Sequence, residues 1–247
     1  MITLEKLYKR YKGADKYAVE NVSLHITAGE TYGLLGTNGA GKTTIFSMIC
    51  GLRKITKGDI LLDGKSVEKE LSEIKKMIGV VPQDIALFPT LSVYENLRFF
   101  GRMYGMKRSE LEARIDRLLA DFNLSDSKRQ LVKTRSGGMK RRINLIAGIL
   151  HRPKILMLDE PAVGIDAHTR LQIMQHLKTL NEQGTTILYT SHYLKEAQDF
   201  CHRVGIINDG RLVAEGSPET LNKDNACENL EQAFLKITGV PERTEFV

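Results

Sequence analysis

The spacing of hydrophobic and polar positions predicts strands towards both ends of the chain. Residues 2–7 and 22–26 alternate between apolar and polar side chains, which is typical of half-buried strands. The turns Asp63-Gly64 and Asp209-Gly210 predict hairpins, because these residue pairs favour tight turns between strands. Four short apolar runs predict buried strands, at 31–35, 78–81, 155–158 and 186–190.

The pattern changes to a helical period between residues 92 and 150. Ser92-x-x-Glu95 and Ser109-x-x-Glu112 both fit the capping box, in which the serine and glutamate side chains bond the first backbone groups of a helix. Each is followed by apolar residues at helical spacing. We therefore predict an inserted, all-helical segment here.

Two further helices are predicted after the strand at 155–158. One extends from about Ala167 to Gln183, with Asp166 as its N-terminal cap and Gly184 as its end. The other covers residues 228–235 near the C-terminus.

A glycine-rich stretch between the strand at 31–35 and a helix-compatible segment carries the most specific motif. It consists of Gly36, Thr37, Asn38, Gly39, Ala40, Gly41, Lys42, Thr43 and Thr44. These residues fit the P-loop pattern G-x-x-x-x-G-K-[ST], whose backbone N–H groups surround phosphate oxygens. Lys42 would reach the β and γ phosphates, and the Thr43 hydroxyl would ligate magnesium. The alternative, a glycine-rich turn that binds nothing, is disfavoured by the flanking strand and helix.

Polar side chains follow three other predicted strands. Asp159 and Glu160 end the strand at 155–158, His192 follows 186–190, and Gln83 follows 78–81. Ligands of open α/β sheets lie at the C-terminal ends of the parallel strands. Asp159 is then suited to bind Mg²⁺, and Glu160 to orient or deprotonate the attacking water. His192 could donate a hydrogen bond to the γ-phosphate, and Gln83 could contact both the metal and the water. Taken singly, an Asp-Glu pair at a strand end is usually a polar loop, and a lone histidine is more often a structural residue of the surface or core. The joint placement of these residues after strands, downstream of a P-loop, carries the prediction.

A second candidate for anion binding precedes the helix that starts near residue 140. Ser136 is a plausible N-terminal cap, and Gly137 and Gly138 expose backbone N–H groups ahead of Met139. A simply capped helix is the alternative. Since the P-loop already provides for one nucleotide, a site that faces the nucleotide of another subunit explains this motif better.

Composition narrows the class of protein. Hydrophobic residues make up 42% and charged residues 27% of the 247 residues, as in ordinary globular proteins. No apolar stretch approaches the ~18 residues of a membrane span, so we expect no direct membrane insertion. Residues 101–152 hold 13 Lys/Arg against 5 Asp/Glu; solvated helix faces are the preferred interpretation, and a nucleic-acid patch is the alternative. Three cysteines without metal-type spacing favour a reducing compartment.

Taken together, these motifs identify the chain as similar to the ATP-binding subunits of ABC transporters over nearly its full length. The matches are the P-loop, the Q-loop at Gln83, the signature motif at 136–139, the Walker B strand ending at Asp159-Glu160, the D-loop around Asp166 and the switch histidine His192. The resemblance implies a head-to-tail dimer that encloses two ATP molecules, each between one P-loop and the partner's signature motif. It also implies that Tyr11 stacks on adenine, with Tyr17 as a competing aromatic residue.

Three segments resemble one subgroup of this family: residues 136–139 with the basic residues that follow them, residues 189–193, and residues 230–235 of the tail. They look like the corresponding segments of exporters of drugs, antibiotics and polysaccharides. Met139 replaces the usual signature glutamine, and Arg135 stands where Leu, Tyr or Phe is typical. Ala162 and Ile165 replace the usual Thr and Leu after Walker B. None of these departures removes a catalytic group.

The resulting prediction is an α/β fold: a P-loop NTPase (RecA-like) core with a small antiparallel β subdomain and an inserted all-helical subdomain. The core with its β subdomain would comprise 1–83 and 151–225, the helical signature subdomain 84–150, and the C-terminal helix and tail 226–247. The expected cofactors are ATP and Mg²⁺. The expected partners are an integral membrane permease and a second ATPase subunit, and the expected location is the cytoplasmic face of the membrane. A soluble ATPase acting on nucleic acid or ribosomes is the alternative; no nucleic acid is expected otherwise.

Overall fold

The computed structural model describes residues 1–161 and 164–239, and all elements named here lie in those ranges. The strands are β1 (Ile2–Lys9), β2 (Val19–Ile26), β3 (Thr31–Leu35), β4 (Lys57–Leu62), β5 (Lys65–Ser66), β6 (Ile78–Val81), β7 (Ile155–Asp159), β8 (Thr186–Ser191), β9 (Arg203–Asn208) and β10 (Arg211–Gly216). The α-helices are α1 (Lys42–Ile49), α2 (Leu71–Met77), α3 (Val93–Met103), α4 (Arg108–Asp121), α5 (Gly137–Ile149), α6 (Ala167–Glu182), α7 (Leu194–Phe200), α8 (Pro218–Asp224) and α9 (Leu230–Thr238).

The chain divides into two compact units. The first comprises Met1–Leu71 and Thr186–Val247, and the second Ser72–Thr185. The first unit contains an antiparallel sheet of order β2-β1-β4-β5, as predicted from the alternating segments. It also contains a mixed sheet region in which β3 pairs in parallel with β8 and β9, and β10 pairs antiparallel with β9. Because β3 has a strand on either side, all five of its residues are buried.

Both predicted hairpin turns of the first unit are confirmed. Asp63 and Gly64 have φ angles of 51° and 79° between β4 and β5, and Asp209 and Gly210 have 45° and 76° between β9 and β10. Two successive positive φ angles match the twist of antiparallel strands, which is why the Asp-Gly pair is selected at these turns.

The second unit contains the helical segment predicted for residues 92–150. Helices α3, α4 and α5 lie here, and β6 pairs in parallel with β7. Apolar side chains from all three helices are buried: Val93, Leu97, Leu111, Ile115, Leu118, Leu119, Ile143 and Ile146. The helical period does not bury every apolar position, since Met103 at the end of α3 is 69% exposed.

Only one of the two predicted capping boxes is present. Ser92 accepts a hydrogen bond from the Glu95 N–H, and the Glu95 carboxylate accepts one from the Ser92 N–H. The prediction for Ser109 is wrong, because α4 begins at Arg108 and Lys107 occupies the capping position without a side-chain bond. Glu112 accepts instead from the Arg108 guanidinium at 2.9 Å, which favours an earlier helix start.

This difference gives a matched pair of variants. Ser92→Ala should lower the free energy of unfolding by about 1 kcal/mol, because it removes a helix cap. Ser109→Ala, in the same sequence pattern but inside the helix and exposed, should stay within about 0.5 kcal/mol of wild type. Urea unfolding of both variants checks the prediction; an equal loss for the two would contradict the assigned caps.

The later helices were predicted in part. Asp166 caps α6 by accepting from the Thr169 N–H at 2.9 Å, and Gly184 follows the helix with a φ of 95°, both as predicted. The C-terminal helix α9 is present, and the tail from residue 240 lies outside the described residues. Helices α2, α7 and α8 were not predicted; each has seven residues, too few for a clear helical period.

Candidate functional site

The P-loop lies between β3 and α1 in the first unit. A β-carbon on Gly36 would lie 2.4 Å from the Ile207 carbonyl oxygen, and one on Gly41 would lie 2.6 Å from the Ala18 carbonyl oxygen. Such contacts are sterically excluded, so the close approach of the loop to its neighbours requires glycine at both positions. Gly41 also has a φ of 112°, which residues with side chains rarely adopt.

Lys42 is the first residue of α1 and its side chain turns back into the loop. The residue is 6% exposed, and its Nζ donates hydrogen bonds to the carbonyl oxygens of Gly36 at 2.7 Å and Thr37 at 3.1 Å. The ammonium group therefore lies inside the curve of the loop, next to the positive end of a helix. Asn38, Gly39 and Thr43 are exposed. An anion bound here would meet the ammonium and the first N–H groups of α1.

Tyr11 lies at the edge of the P-loop. Its hydroxyl is 3.2 Å from the Thr44 hydroxyl oxygen, and the Arg53 guanidinium carbon is 5.2 Å from the centre of its ring. The competing aromatic residue Tyr17 packs edge-on against Tyr8 instead, with ring centres 5.4 Å apart. Of the two aromatic candidates, Tyr11 is thus the one in contact with the P-loop segment, through Thr44.

His192 leaves the sheet beside the P-loop. Strands β3 and β8 are parallel neighbours with Leu35 opposite Ser191, so the segments after both strands start from one edge, as predicted. His192 is exposed, and its ring centre lies 4.3 Å from that of Tyr193. The Tyr193 N–H donates to the Ser191 hydroxyl at 2.9 Å, which closes a short turn around the histidine.

In the second unit, Gln83, Asp159 and Glu160 also share one edge. Strands β6 and β7 are parallel neighbours with Val81 opposite Leu158, and the three polar residues follow at their C-terminal ends. Asp159 is 6% and Glu160 8% exposed. The Gln83 Nε2 donates to the Glu160 Oε2 at 3.3 Å. The predicted Q-loop glutamine and the predicted catalytic carboxylate are therefore in contact.

Glu160 has an unusual backbone conformation. Its φ is 47°, in the left-handed region that costs a non-glycine residue roughly 1–2 kcal/mol. Strain of this kind persists where the surrounding structure fixes a functional side chain. The sequence carried no sign of it, because neither glycine nor asparagine occupies the position.

The signature motif forms the N-terminus of α5. The Ser136 hydroxyl accepts from the Met139 N–H at 3.3 Å, which confirms the predicted cap. A β-carbon on Gly138 would lie 3.1 Å from the Thr169 hydroxyl oxygen, whereas one on Gly137 would meet nothing within 4 Å. Ser136 and Gly137 are both exposed. One glycine thus permits packing against α6, and the other leaves an open backbone surface.

Asp166 is close to the signature motif through the same threonine. Its two carboxylate oxygens accept from the Thr169 N–H at 2.9 Å and from the Thr169 hydroxyl at 2.8 Å. These hydrogen bonds lower the pKa of Asp166 and keep the carboxylate charged. The structure therefore brings together the predicted signature and D-loop residues within the second unit.

Two residues that the sequence analysis missed connect α5 to the Q-loop. Arg141, 8% exposed, donates to the Gln83 carbonyl oxygen, and burial lowers the pKa of its guanidinium. Asn144, 3% exposed, accepts from the Ala86 N–H at 3.2 Å and donates to the Pro82 carbonyl oxygen at 3.4 Å. The sequence held one sign of this role: Asn144 lies within an otherwise apolar run of α5, and a buried amide requires polar partners.

The candidate magnesium ligands are a hydroxyl, an amide and a carboxylate. Oxygen donors of these kinds suit Mg²⁺, which usually keeps several water ligands and takes few from the protein. Among the described residues, no group of three or more His, Cys, Asp or Glu side chains is placed to hold a metal ion. The same part of the chain has no helix with the length and hydropathy of a membrane span.

Comparison with known proteins identifies a family for the chain. The family described as ABC transporter matches residues 19–163. The chain is 42% identical to the linearmycin resistance ATP-binding protein LnrL of Bacillus subtilis over 98% of this chain and 76% of that protein. It is 39% identical to the Nod factor export ATP-binding protein I of Burkholderia thailandensis over 99% of this chain and 82% of that protein.

A solved structure extends the similarity to three dimensions. The ATP-binding cassette MJ0796, described as a dimer in a post-hydrolysis state bound to ADP and Pi, has a TM-score of 0.81 and 30% identity. The match covers 88% of this chain and 98% of that chain. The fold is therefore the α/β fold of the ABC ATPases, as predicted. The chain belongs to the ABC transporter family, as an ATP-binding subunit that hydrolyses ATP.

Proposed function

We propose that the chain powers the export of a small molecule, drug, antibiotic or polysaccharide through a separate membrane permease. Two similar proteins, one named for linearmycin resistance and one for Nod factor export, support this direction of transport. Both names also favour the transporter over an ATPase acting on nucleic acid or ribosomes. Because the chain works through a permease, we place it at the cytoplasmic face of the membrane.

The P-loop binds the triphosphate in this proposal. Lys42 neutralises the β and γ phosphates, the backbone of residues 36–44 surrounds them, and Tyr11 stacks on adenine. The observation that carries the proposal is the position of the Lys42 ammonium, buried within the loop by its bonds to Gly36 and Thr37. An ATP phosphate offers oxygen acceptors that can replace those carbonyl groups.

Magnesium would be held by Thr43, Gln83 and Asp159, with water completing its coordination. When bound, the ion neutralises charge on the β and γ phosphates. Glu160 then orients or deprotonates the attacking water, and His192 donates a hydrogen bond to the γ-phosphate. The contact between Gln83 and Glu160 supports a shared role, since a move of the glutamine also changes the surroundings of the base.

We further propose a head-to-tail dimer in which residues 136–139 bind the ATP held by the partner's P-loop. The exposed, sterically open backbone at Gly137 supports this role. Asp166 would lie at the same dimer interface. In functional terms, residues 1–83 and 151–225 form the nucleotide-binding core with its β subdomain, residues 84–150 the helical signature subdomain that contacts the permease, and residues 226–247 the C-terminal helix and tail.

The proposal of export is tested in a strain that lacks the gene. We expect that strain to become more sensitive to linearmycin or to another compound in an antibiotic panel, and to accumulate that compound. Wild-type protein should restore resistance, and the Glu160→Gln variant should not. Unchanged sensitivity and unchanged accumulation across the panel would contradict export as the function.

A further inference from the structure

A partly buried hydrogen bond joins two residues that flank His192. Tyr189 in β8 lies three residues before the histidine and is 1% exposed. Its hydroxyl donates to the Glu196 Oε2 of α7 at 2.7 Å. Glu196 lies four residues after the histidine, so this single bond spans the whole segment that carries the His192 side chain.

The chemistry of Tyr189 and Glu196 favours a stable hydrogen bond between them. Burial, and secondarily the charge of Glu196, raise the pKa of the Tyr189 hydroxyl, so the phenol keeps its proton and remains a donor. A hydrogen bond from a phenol to a carboxylate is shorter and stronger than one between neutral groups. The ends of the His192 segment are therefore held at a fixed separation.

Other contacts hold the same segment and helix. The Tyr189 ring packs edge-on against Phe200 at the end of α7, with ring centres 5.6 Å apart. On the other side, the Gln198 amide oxygen of α7 accepts from the Leu230 N–H at 2.8 Å, at the start of α9. Helix α7 is thus connected to β8 and to the C-terminal helix within one unit.

We propose that Tyr189, through Glu196, is a positioning residue for His192 during ATP hydrolysis. In this role the hydroxyl acts indirectly: it fixes the start of α7 relative to the end of β8, and hence the direction of the imidazole. This inference rests on the proposed role of His192. A displacement of about 1 Å in a catalytic group can lower turnover by roughly 10²-fold, so a single remote hydrogen bond suffices to affect the rate.

Strand β3, which pairs with β8, provides a matched control. Tyr32 in β3 is also fully buried, and its hydroxyl donates to the Glu215 Oε1 at 2.9 Å. Tyr32→Phe removes the same kind of bond in the same unit, but its partner Glu215 lies in β10 rather than beside His192. A purely structural loss should therefore be similar for the two Tyr→Phe variants, whereas an effect on His192 should be specific to Tyr189→Phe.

The experiment measures phosphate release at saturating Mg-ATP. Tyr189→Phe should lower kcat roughly 5- to 50-fold with little change in KM, and Tyr32→Phe should stay within about twofold of wild type. Glu196→Gln keeps an oxygen that accepts from the phenol and should retain most activity, whereas Glu196→Leu should match Tyr189→Phe. If a Tyr189→Phe chain folds poorly, this second pair of variants gives the same comparison.

A double-mutant cycle with His192→Ala separates the possible results. If the tyrosine acts through the histidine, Tyr189→Phe should change kcat less than about twofold once His192 is absent. An equal loss in both backgrounds, or a Tyr189→Phe enzyme with wild-type kcat, would overturn the positioning role alone. Wild-type kcat in His192→Ala itself would overturn the proposed role of the histidine and the inference together.

Discussion

Glu160→Gln is expected to bind ATP with near-native affinity and to hydrolyse it about 10²–10³-fold more slowly. The substitution keeps the size of the side chain but removes the carboxylate that would activate water. Glu160 is 8% exposed, and its Oε2 accepts a hydrogen bond from Gln83. The oxygen of the introduced amide can accept the same bond, so the substitution should not disturb the fold. ATP-bound protein should then accumulate as a dimer. Sedimentation velocity measures the dimer, and a phosphate-release assay measures hydrolysis.

A glutamate remote from the site serves as the control for this variant. Glu182 ends α6 and is exposed, so Glu182→Gln should retain wild-type hydrolysis within about twofold. Near-normal phosphate release by Glu160→Gln would contradict the assignment of the catalytic carboxylate. Slow hydrolysis with an equally large loss of ATP affinity would show instead that Glu160 contributes to binding.

Lys42→Ala should lose nucleotide affinity itself. The variant removes the positive charge that lies within the P-loop, 2.7 Å from the Gly36 carbonyl oxygen. Loss of one partner of a buried, charged contact costs about 2–5 kcal/mol, which corresponds to a Kd increase of roughly 30-fold or more. Equilibrium binding of a fluorescent ATP analogue measures the change.

Another lysine shows whether the effect is specific to the loop. Lys178 is an exposed residue of α6, and Lys178→Ala lowers the net charge by the same amount. It should leave the Kd within about twofold of the wild-type value. If Lys42→Ala and Lys178→Ala bound ATP equally well, the interpretation of residues 36–44 as the phosphate-binding loop would be wrong.

The sequence predicted those features that depend on local chemistry. The P-loop requires glycine where Gly36 and Gly41 approach backbone oxygens. The Asp-Gly turns require positive φ angles, and the caps at Ser92, Ser136 and Asp166 require short polar side chains. In each of these cases a few adjacent residues determine the structure, so the residue types alone are informative.

Features that depend on tertiary contacts were not predictable in the same way. Ser109 fits the capping box as well as Ser92 does, but a salt bridge between Arg108 and Glu112 accompanies an earlier start of α4. The bond between Tyr189 and Glu196 spans a strand, a turn and a seven-residue helix that the periodicity did not predict. Likewise, Arg141 and Asn144 contact residues that lie far away along the chain. Gln83 is 58 residues from Arg141, and Pro82 is 62 residues from Asn144.

The proposed dimer is open to a complementation test with two inactive chains. Lys42→Ala disables the P-loop of its own chain. Gly137→Glu places a carboxylate at the signature motif, where a β-carbon would meet nothing within 4 Å, so the fold should tolerate it. If each ATP is bound between two chains, a mixed dimer has one site with an intact P-loop and an intact signature motif, and one site with neither.

The most direct measurement is therefore the ATPase rate of the two variants, alone and co-expressed in equal amounts. Each alone should be nearly inactive, and the mixture should regain up to roughly a quarter of the wild-type rate, since half of the dimers are mixed and each has one intact site. A mixture no more active than its components, or wild-type hydrolysis by Gly137→Glu alone, would contradict an ATP site shared between two copies of this chain.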